Sequence, residues 1–442
     1  MNNMHKFKQT EIGMIPEEWE IAELKDVLQE KGYIRGPFGS ALKRPELKSE
    51  GIPVYEQEHA IYNSRKFRYF IDNEKFKSLS RFAVRENDLI ISCSGTFGKV
   101  SIISRSDPKG IISQALLILR TNTNKINPQY LKYFFTTKQG YEAIASRSLG
   151  SVQVNIANRK IIEKIEIPLP TLHEQENIVK ILSSLDNKIE LNQRMNKTLE
   201  AIGQAIFKHW FVDFEFPDEE GKPYKSAGGE MVFNEELRKE IPKGWEVGRV
   251  ADLVSIKTGF AFKSSSFDDS GIYGLVTIKN VMDGFFVAKC TDRISIVPSE
   301  MPEYCLLKSG DIIMSLTGNV GRVCFVYGNN YLLNQRVAKL SPNNSNNNAF
   351  IYFLFRQPTL KDNLINISKG TAQQNLSPIE AKELNLIIPP SSILDVFSSY
   401  MNPIFDFMIQ NEINCKTLSQ IRDALLPKLM SGKIRVPLEE KE

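Results

Sequence analysis

The sequence contains the same long pattern twice, and this repetition limits the fold more than any other feature of the chain. Six segments recur in the same order, and the interval between matched positions falls only from 226 residues (15 to 241) to 219 residues (196 to 415). Each copy spans about 200 residues, which is too long for the unit of a solenoid repeat. The sequence therefore predicts a duplicated domain, with a helix after each copy. The matched segments are 15–20 with 241–246, 87–100 with 310–323, 113–114 with 334–335, 149–155 with 369–375, 167–170 with 387–390 and 196–199 with 415–418.

Most of each copy has the pattern of short strands separated by glycine turns, which predicts an α+β domain rich in irregular loops. Short helices are predicted at Pro128–Phe135 and Asn348–Phe355. The predicted strands are Leu89–Ser92, Val100–Ile103 and Leu116–Leu119 in the first copy, and Ile312–Ser315, Val323–Tyr327 and Val337–Leu340 in the second.

A helical pattern follows each α+β segment. The stretch Leu172–Phe211 contains no proline, and about 40 residues at a rise of ~1.5 Å predict a helix roughly 60 Å long. In the second copy Pro403 interrupts the pattern, so the helix is expected either to begin there, with Asn402 as N-cap, or to kink there. A 4,3 spacing, typical of a coiled-coil seam, runs through Ile178, Leu182, Leu185, Ile189, Asn192, Asn196, Leu199, Gly203, Ile206 and Trp210, and through Phe397, Met401, Ile404, Met408, Asn411, Cys415 and Leu418.

Two asparagines occupy equivalent positions in these seams. Asn192 and Asn411 interrupt otherwise apolar rows, and a polar residue in such a row costs stability but fixes register. We expect the two helices to pair antiparallel, with these residues helping to set their alignment. The alternative is that both asparagines face solvent.

Positive charge is concentrated in two separate blocks. Residues 1–170 carry 26 Lys+Arg against 19 Asp+Glu, and residues 242–390 carry 15 against 12. Residues 213–241, between them, are acidic, with 4 against 9. Two basic modules indicate two contacts with a polyanion, although an ordinary mixed surface also explains the smaller excess of the second block.

Catalytic signatures do not emerge from the sequence. The Asn/Asp-Pro-Pro-Tyr tetrapeptide of amino-group methyltransferases is missing, as is a Phe-x-Gly-x-Gly nucleotide-binding turn. Gly95-x-x-Gly98-Lys99 lacks the earlier glycine and the following Ser/Thr of a phosphate loop, so a tight hairpin turn is the better interpretation. Glu46-x-Lys48 has no counterpart in the second copy, which disfavours a metal nuclease. The five cysteines form no C-x-x-C pair, so neither structural zinc nor a disulfide framework is expected.

The chain resembles the specificity subunits of type I restriction-modification systems over nearly its full length. Both copies begin with Ile-Pro-x-x-Trp-Glu, at 15–20 and 241–246, and share Gly/Asn-Asp strand–turn blocks. The other segments that carry the resemblance are Pro170-x-x-x-Glu174-Gln175-x-x-Ile178, 207–214, the linker 221–231 and the C-terminal 426–434. One departure from the family pattern lies at the start of the second helix, where Leu394-Asp395 replaces Glu174-Gln175.

The resemblance implies a non-catalytic subunit that reads double-stranded DNA. Two target-recognition domains each read one half of a split, asymmetric site, and the long helices set the gap and dock two modification (methyltransferase) subunits. Restriction subunits can join to give ATP-dependent cleavage. S-adenosylmethionine and ATP with Mg²⁺ would bind those partners rather than this chain. No apolar stretch is long enough for a membrane span and the N-terminus lacks a signal-peptide core, so a cytoplasmic location is expected.

The resemblance and the periodicity together give a domain plan. The predicted fold class is α+β, with two homologous α/β target-recognition domains separated by two long helices that form an antiparallel coiled coil. The predicted segments are a first recognition domain at 1–170, a central helix at 171–212, an acidic linker at 213–241, a second recognition domain at 242–390, and a C-terminal helix and tail at 391–442.

Candidate DNA contacts are basic and amide side chains near the glycine turns, since base edges are read by Arg, Lys, Asn and Gln and phosphates by cations. For each cation the alternative is a solvated surface charge, and for Gln114 and Gln335 it is a buried amide. The glycines at 150 and 370 would let the backbone approach phosphates. The candidates are Arg35, Lys43, Arg44, Lys99, Gln114, Ser151 and Gln153 in the first copy, and Lys263, Lys279, Arg322, Gln335, Thr371 and Gln373 in the second.

A second group of residues is expected at the helix pairing or at a partner interface. Trp19 and Trp245 are interpreted as core anchors rather than base-stacking residues, whereas Trp210 fits either a core or a partner surface. The candidates are Leu182, Leu185, Ile189, Asn192, Leu199, Trp210, Met401, Ile404, Met408, Asn411 and Leu418.

Two other classes of function compete with DNA recognition. A fragment of a fused methyltransferase-nuclease is disfavoured by the missing catalytic motifs, and incubation with S-adenosylmethionine and DNA would detect it. A coiled-coil scaffold that binds only protein is disfavoured by the two basic blocks, and salt-sensitive DNA binding would exclude it.

Overall fold

The computed structural model describes residues 6–38, 41–145, 159–368 and 374–436. The chain divides into two compact units, one formed by residues 1–187 with 418–442 and the other by residues 188–417. Each of two 40-residue helices therefore contributes one part to each unit.

In its described residues the first unit combines eleven strands with short helices, the beginning of one long helix and the end of the other. The strands are β1 (Phe7–Thr10), β2 (Gly13–Pro16), β3 (Glu20–Glu23), β4 (Leu28–Arg35), β5 (Ile52–Tyr55), β6 (Phe70–Ile71), β7 (Leu89–Ser92), β8 (Val100–Ile102), β9 (Ile111–Ile112), β10 (Leu116–Thr121) and β11 (Glu166–Leu169). The helices are α1 (Leu24–Val27), α2 (Gln57–Ile61), α3 (Asn73–Ser78), α4 (Pro128–Thr136), α5 (Lys138–Ala145), α6 (Arg159–Ile162) and α7 (Leu172–Phe211).

The central sheet of the first unit has the order β4-β10-β7-β8, and all of its pairs are antiparallel. The residues of β7 and Leu116–Leu119 of β10 are buried, as expected for β-branched and leucine-rich strands covered on both faces. Strand β5 pairs parallel with β9 and antiparallel with β6. The predicted strands and the helix at 128 are confirmed, with ends that differ by at most two residues.

The second unit repeats this arrangement. Its strands are β12 (Met231–Asn234), β13 (Lys239–Pro242), β14 (Glu246–Arg249), β15 (Val254–Thr258), β16 (Tyr273–Val276), β17 (Val281–Met282), β18 (Phe285–Phe286), β19 (Arg293–Ile294), β20 (Leu306–Leu307), β21 (Ile312–Ser315), β22 (Val323–Phe325), β23 (Tyr331–Leu333), β24 (Val337–Pro342) and β25 (Asn385–Ile388). Its helices are α8 (Val250–Leu253), α9 (Asn348–Phe355), α10 (Pro358–Ile367), α11 (Pro378–Lys382) and α12 (Ser391–Met430). The sheet order β15-β24-β21-β22 matches β4-β10-β7-β8 of the first unit, so the sequence repeat is also a repeat of topology.

Each copy begins with a short antiparallel hairpin, β1–β2 in the first unit and β12–β13 in the second. The predicted boundary between the acidic linker and the second recognition domain falls inside β13. After each hairpin comes a buried tryptophan, and Trp19 and Trp245 are 1% and 6% exposed. Trp245 stacks on Phe216 at a ring distance of 5.0 Å, which confirms the expectation of a core anchor.

The two long helices, α7 and α12, pack against each other in antiparallel directions. In the second unit the Ile189 carbonyl accepts from Cys415 Sγ at 3.6 Å, whereas Phe207, further along α7, meets Phe397, earlier in α12, at a ring distance of 6.0 Å. In the first unit Arg422 donates to Asp186 at 2.9 Å. The predicted antiparallel pairing is therefore confirmed.

Helix α12 runs without a break through Pro403, so the first of the two alternatives, a helix that begins at Pro403 with Asn402 as N-cap, is wrong. Pro403 lacks the N–H that would bond the carbonyl of Ser399, and both residues are exposed, so water can solvate the orphaned carbonyl. The helix begins at Ser391, where Ile393 and Leu394 donate to the Pro390 carbonyl at 3.0 and 3.2 Å. Pro403, on the solvent-exposed side of this long helix, therefore does not mark the N-terminus of the helix.

The apolar helix seam contains a polar layer. Asn192 and Asn411 are 1% and 2% exposed, so the solvent-facing alternative is wrong. The hydrogen-bonded partner of Asn411 is Asn196 (Nδ2 to Oδ1, 2.9 Å), and Asn196 in turn donates to Glu412 Oε1 at 2.9 Å and to the Met408 carbonyl at 3.0 Å. These bonds join the two helices at one register and would be lost in any other.

Glu412 makes the polar layer sensitive to pH. Burial raises the pKa of this carboxyl, although the Asn196 amide opposes the shift. The stabilisation that accompanies protonation is present below the ordinary pKa of a glutamate and is lost as pH rises through the raised pKa. We expect Glu412→Gln to increase Tm at neutral pH, because glutamine keeps an acceptor for Asn196 without a buried charge.

The melting temperatures of Glu412→Gln and wild type should converge as the pH is lowered. Asp406→Asn, an exposed carboxyl on the same helix, is the control and should give no such convergence. A lower Tm of Glu412→Gln at neutral pH would contradict the role assigned to burial.

The start of α7 is tied into the first unit by two buried polar residues. Glu174 accepts from Trp19 Nε1 at 3.1 Å and from Arg435 Nε at 2.7 Å. Gln175 accepts from the Asn127 N–H at 2.8 Å. These side chains are 4% and 0% exposed, so they hold the helix start in place and are not open to a partner. In the second unit Leu394 stands at the position of Glu174 and is 6% exposed, so this helix start is held by apolar packing in place of the side-chain hydrogen bonds of Glu174.

All five cysteines are buried and free. Across the ranges that the structure describes, no helix has the length and apolar character needed to cross a membrane. In the same ranges, His, Cys, Asp and Glu side chains form no cluster that could hold a metal ion.

Candidate nucleic-acid interface

A four-residue turn that presents a glutamine precedes the central strand β10. In this turn, Ser113 to Leu116, the Leu116 N–H donates to the Ser113 carbonyl at 3.1 Å. The Ser113 N–H donates to the Tyr55 carbonyl at 2.8 Å, which ties the turn to β5. Gln114, at the second position of the turn, is exposed.

The same turn precedes β24 in the second unit. Here the Val337 N–H donates to the Asn334 carbonyl at 2.9 Å, and the Asn334 N–H donates to the Val276 carbonyl at 3.1 Å. Gln335 is exposed. The alternative of a buried amide is therefore wrong for both glutamines, and both are accessible to a ligand.

The segment after β4, and the equivalent segment after β15, lies directly against a glutamine turn, and a glycine at the contact makes this close approach possible. A Cβ at Gly36 would overlap the Ser113 carbonyl, and a Cβ at Gly259 would overlap the Asn334 carbonyl group. The Gly36 N–H donates to the Leu116 carbonyl at 2.9 Å, and the Gly259 N–H donates to the Val337 carbonyl at 3.0 Å. Sequence reasoning missed this pair, although the two glycines follow the ends of equivalent strands β4 and β15.

A glycine hairpin lies beside each glutamine turn, joining β7 to β8 and β21 to β22. Gly95 and Gly98 adopt φ of +62° and +73°, and Gly318 and Gly321 adopt +73° and +74°, a left-handed region that favours glycine. These segments therefore form hairpin turns, as predicted, rather than phosphate loops.

A buried serine braces each hairpin. Ser92 Oγ accepts from the Lys99 N–H at 3.0 Å and donates to the Thr96 carbonyl at 2.7 Å. Ser315 Oγ likewise accepts from the Arg322 N–H, at 3.2 Å, and donates to the Asn319 carbonyl. The cation after each hairpin therefore has a fixed backbone position.

The two cations after the hairpins differ in exposure. Lys99 is exposed, and its Nζ lies 5.5 Å from the centre of the Tyr141 ring. Arg322 is half-buried, with its Nη1 3.3 Å from Met282 Sδ. Lys99 is the more accessible of the two for a phosphate.

The remaining described cations of the candidate set lie in loops that follow the sheet strands. Lys43 and Lys263 are exposed and precede equivalent 3-10 turns at Arg44–Glu46 and Ser264–Ser266. Arg44 and Lys279 are exposed as well. The candidates Ser151, Gln153, Thr371 and Gln373, and the glycines at 150 and 370, lie outside the described residues.

Arg35, at the end of β4, is half-buried. Its guanidinium lies 5.6 Å from the centre of the exposed Phe38 ring, and its Nε is buried without a hydrogen-bond partner among the described residues. It is thus less open to DNA than the loop lysines.

In the second unit the glutamine turn opens onto a polar cleft of about 810 Å³. Among the described candidates from the sequence, Gln335 lies in this cleft. Thr317 Oγ1 is buried there and lacks a hydrogen-bond partner within the described part of the chain. Among the described residues, the lining contains neutral and cationic groups and no carboxylate, so these residues do not repel a polyanion. The lining residues are Thr258, Leu316, Thr317, Gln335, Arg336, Gln374, Asn375, Leu376, Ser377 and Pro378.

Sequence reasoning missed Arg336, an exposed cation next to Gln335 in this cleft. Its only sequence signal is that adjacency. Thr258 and Asn375 were missed as well, although Asn375 belongs to one of the repeated segments.

The candidate residues on the long helices differ in how deeply their side chains are buried. Trp210, for which the sequence left two interpretations open, is half-buried with its ring 5.6 Å from Phe397 and 6.4 Å from Tyr400. It therefore packs within the second unit. Leu182, Ile189, Asn192, Met401, Met408 and Asn411 are buried, whereas Leu185, Leu199, Ile404 and Leu418 are half-buried.

Several large apolar side chains on the helices of the second unit remain open to solvent. Contiguous exposed apolar patches are typical of protein–protein contact sites, whereas single exposed apolar side chains are common on any protein surface. The exposed residues are Leu191, Ile202, Val396, Tyr400 and Phe407.

Comparisons with known proteins assign the chain to a family. The model described as "Type I restriction modification DNA specificity domain" matches twice, at residues 16–201 and 242–421. The chain therefore belongs to the type I restriction-modification DNA specificity family, as the sequence resemblance indicated.

Relatives match over most of the chain. The chain is 31% identical to the type I restriction enzyme MjaIX specificity subunit of Methanocaldococcus jannaschii, covering 98% of this chain and 97% of that protein. It is 25% identical to the HindI specificity subunit of Haemophilus influenzae, covering 85% and 92%. A crystal structure of the type I system S subunit from M. genitalium shares the fold, with a TM-score of 0.58 at 16% identity over 97% of each chain.

Proposed function

We propose that this chain is the DNA-recognition subunit of a type I restriction-modification complex and has no catalytic role of its own. Each α+β unit reads one half of a bipartite, asymmetric site on double-stranded DNA. The observation that carries the proposal is that both units contain the same backbone arrangement, a glutamine turn beside a glycine hairpin. The exposed polar and cationic side chains on this arrangement differ between the two copies. Because side chains read the base edges, the same backbone arrangement with different side chains is suited to reading two different half-sites.

Two modification (methyltransferase) subunits are the proposed partners of the helix pair. The exposed apolar residues Tyr400 and Phe407 on α12, and Leu191 and Ile202 on α7, support a protein contact there. S-adenosylmethionine would bind those partners, and ATP with Mg²⁺ would bind restriction subunits where these join. We also propose a cytoplasmic location for the complex.

Salt-dependent DNA binding separates this proposal from a scaffold that binds only protein. The chain is purified with its methyltransferase partner, and affinity for duplex DNA is measured by fluorescence anisotropy across a salt series. We expect log affinity to fall linearly with log salt, since lysines and arginines displace counterions from phosphates. Replacing the exposed Lys99 with alanine should make the slope shallower by about 1 if it contacts a phosphate.

The methyltransferase partner alone is the matched control for intrinsic DNA binding. Equal affinity with and without this chain would contradict the proposal and favour the scaffold. A complex that binds duplex DNA only when this chain is present would support it.

A further inference from the structure

The two glutamine turns place unlike residues at one geometrically equivalent position. In the first unit Gln114 is followed by Ala115, and in the second Gln335 is followed by Arg336. The carbonyl of each following residue accepts a hydrogen bond from the residue after β7 or β21: Ala115 from the Cys93 N–H at 2.9 Å, and Arg336 from the Leu316 N–H at 3.0 Å. Both turns are therefore anchored from two sides and preorganised in the same way.

Arg336 is free to meet a ligand. It is exposed in the polar cleft, and within the described residues its guanidinium has no hydrogen-bond or ion-pair partner. Other arginines of the same unit are engaged: Arg356 with Glu200 at 2.9 Å and Arg293 with the Ile272 carbonyl at 2.9 Å. Among the described residues, the Thr317 hydroxyl, which is buried in the same cleft, also has no hydrogen-bond partner and can bond to a ligand there.

The chemistry of the two side chains points to a pair of bases. An arginine pairs bidentately with the O6 and N7 atoms of guanine, and a glutamine with the N6 and N7 atoms of adenine. Consecutive Cα atoms are about 3.8 Å apart, close to the ~3.4 Å rise between stacked base pairs. Adjacent turn residues can therefore address adjacent base pairs.

We propose that Gln335 and Arg336 read an A·T pair next to a G·C pair in the half-site of the second unit. In the first unit, Gln114 reads an A·T pair, and the methyl group of Ala115 can accept only an apolar contact, such as the thymine methyl. The half-sites would thus share an A·T requirement and differ at the neighbouring pair. This inference rests on the proposed function and adds the bases that two positions select.

The test maps adenine methylation by long-read sequencing in cells that express the full chain with its methyltransferase partner. Wild type is compared with Arg336→Ala, Arg336→Lys and Gln335→Ala. We expect both arginine variants to lose the guanine requirement at one position of one half-site, with discrimination falling about ten- to a hundredfold. Lysine keeps the positive charge but lacks the planar guanidinium that donates two parallel hydrogen bonds. The Arg336→Lys variant therefore distinguishes recognition of a base from electrostatic attraction to a phosphate. Gln335→Ala should relax the adjacent A·T position.

Two controls fix the assignment. Gln114→Ala should relax the other half-site and leave the half read by the second unit intact. Arg238→Ala removes an exposed cation of the second unit that is not part of the cleft lining, and it should leave the motif unchanged.

Three results would overturn the inference: a wild-type motif without adjacent A·T and G·C pairs in the affected half, an unchanged motif in both arginine variants, or methylation reduced equally at all sites. Each of these leaves the proposed function standing as long as wild-type methylation depends on this chain. Methylation that does not need the chain would instead refute the proposed function.

Discussion

Replacing Arg120 with alanine is expected to lower the free energy of unfolding by about 3–5 kcal/mol, because it leaves a buried carboxylate without its ion-pair partner. Asp88 is 1% exposed, and Arg120 donates to both of its carboxylate oxygens at 2.8 Å. The same guanidinium donates to the Ala83 carbonyl at 3.1 Å. Urea denaturation at neutral pH gives the measurement.

The pH dependence of this loss has a defined sign. Burial raises the pKa of Asp88 even with the arginine in place, so removing Arg120 should raise it further. A carboxyl with a raised folded-state pKa loses stabilisation as pH rises through that pKa. The deficit of Arg120→Ala should therefore be smaller at acidic than at neutral pH.

The controls isolate the buried charge as the cause. Arg105→Ala removes an exposed arginine of the same unit and should change stability by no more than about 0.5 kcal/mol. Adding Asp88→Asn to Arg120→Ala should recover part of the loss, since it removes the unpaired charge. A loss as small as that of Arg105→Ala would show that the pair does not stabilise the first unit.

Phe397→Ala is expected to cost about 3–5 kcal/mol through the cavity it opens where the helices pack in the second unit. Phe397 is 0% exposed. Its ring lies 4.9 Å from Phe211, 5.6 Å from Trp210 and 6.0 Å from Phe350. The loss is measured by denaturant unfolding, and the emission of Trp210 should change at the same time.

Phe407 is a matched control because it lies on the same helix and is 46% exposed. Phe407→Ala should leave stability within about 0.5 kcal/mol of wild type. If Phe407 serves the methyltransferase contact, its replacement should weaken complex formation instead. Similar stability losses for both variants would contradict the packing described for α12.

The repeat made most of the fold predictable from the sequence. Two weak strand patterns at equivalent positions, such as Leu89–Ser92 and Ile312–Ser315, support each other, and both strands occur as expected. The seam was predictable since the 4,3 spacing depends only on helical geometry. The pairing of Asn411 with Asn196 instead of Asn192 was not, because periodicity gives the face of each helix but not the relative shift of the two.

The beginning of α12 shows a local signal overridden by its surroundings. Asn402-Pro403 has the form of an N-cap followed by proline at the first helical position. Asn402 is instead used by the preceding domain: its Nδ2 donates to the Asn346 carbonyl at 2.7 Å, and its Oδ1 accepts from the Ala349 N–H at 3.3 Å. Such a tertiary use of a capping residue leaves no trace in the local sequence.

The candidate interface was predictable only in part. Gln114 and Gln335 stood out because they recur, and their exposure keeps them as candidates. Arg336 was not predicted because the repeat does not share it: the equivalent residue of the first copy is Ala115. A residue that distinguishes one half-site from the other is expected to differ between the copies, so comparison of the copies does not identify it. Which polar groups converge on a cleft depends on loops brought together by the sheet, and sequence separation hides that convergence.

We propose that this chain selects the DNA sites on which its partners act. The most direct test is to co-express the neighbouring methyltransferase with and without this chain and to map methylated adenines across the genome by long-read sequencing. We predict a split motif of two unlike half-sites that is absent without the chain, and replacement of the first recognition domain alone should alter only one half. Methylation that is unchanged when the chain is omitted would contradict the claim.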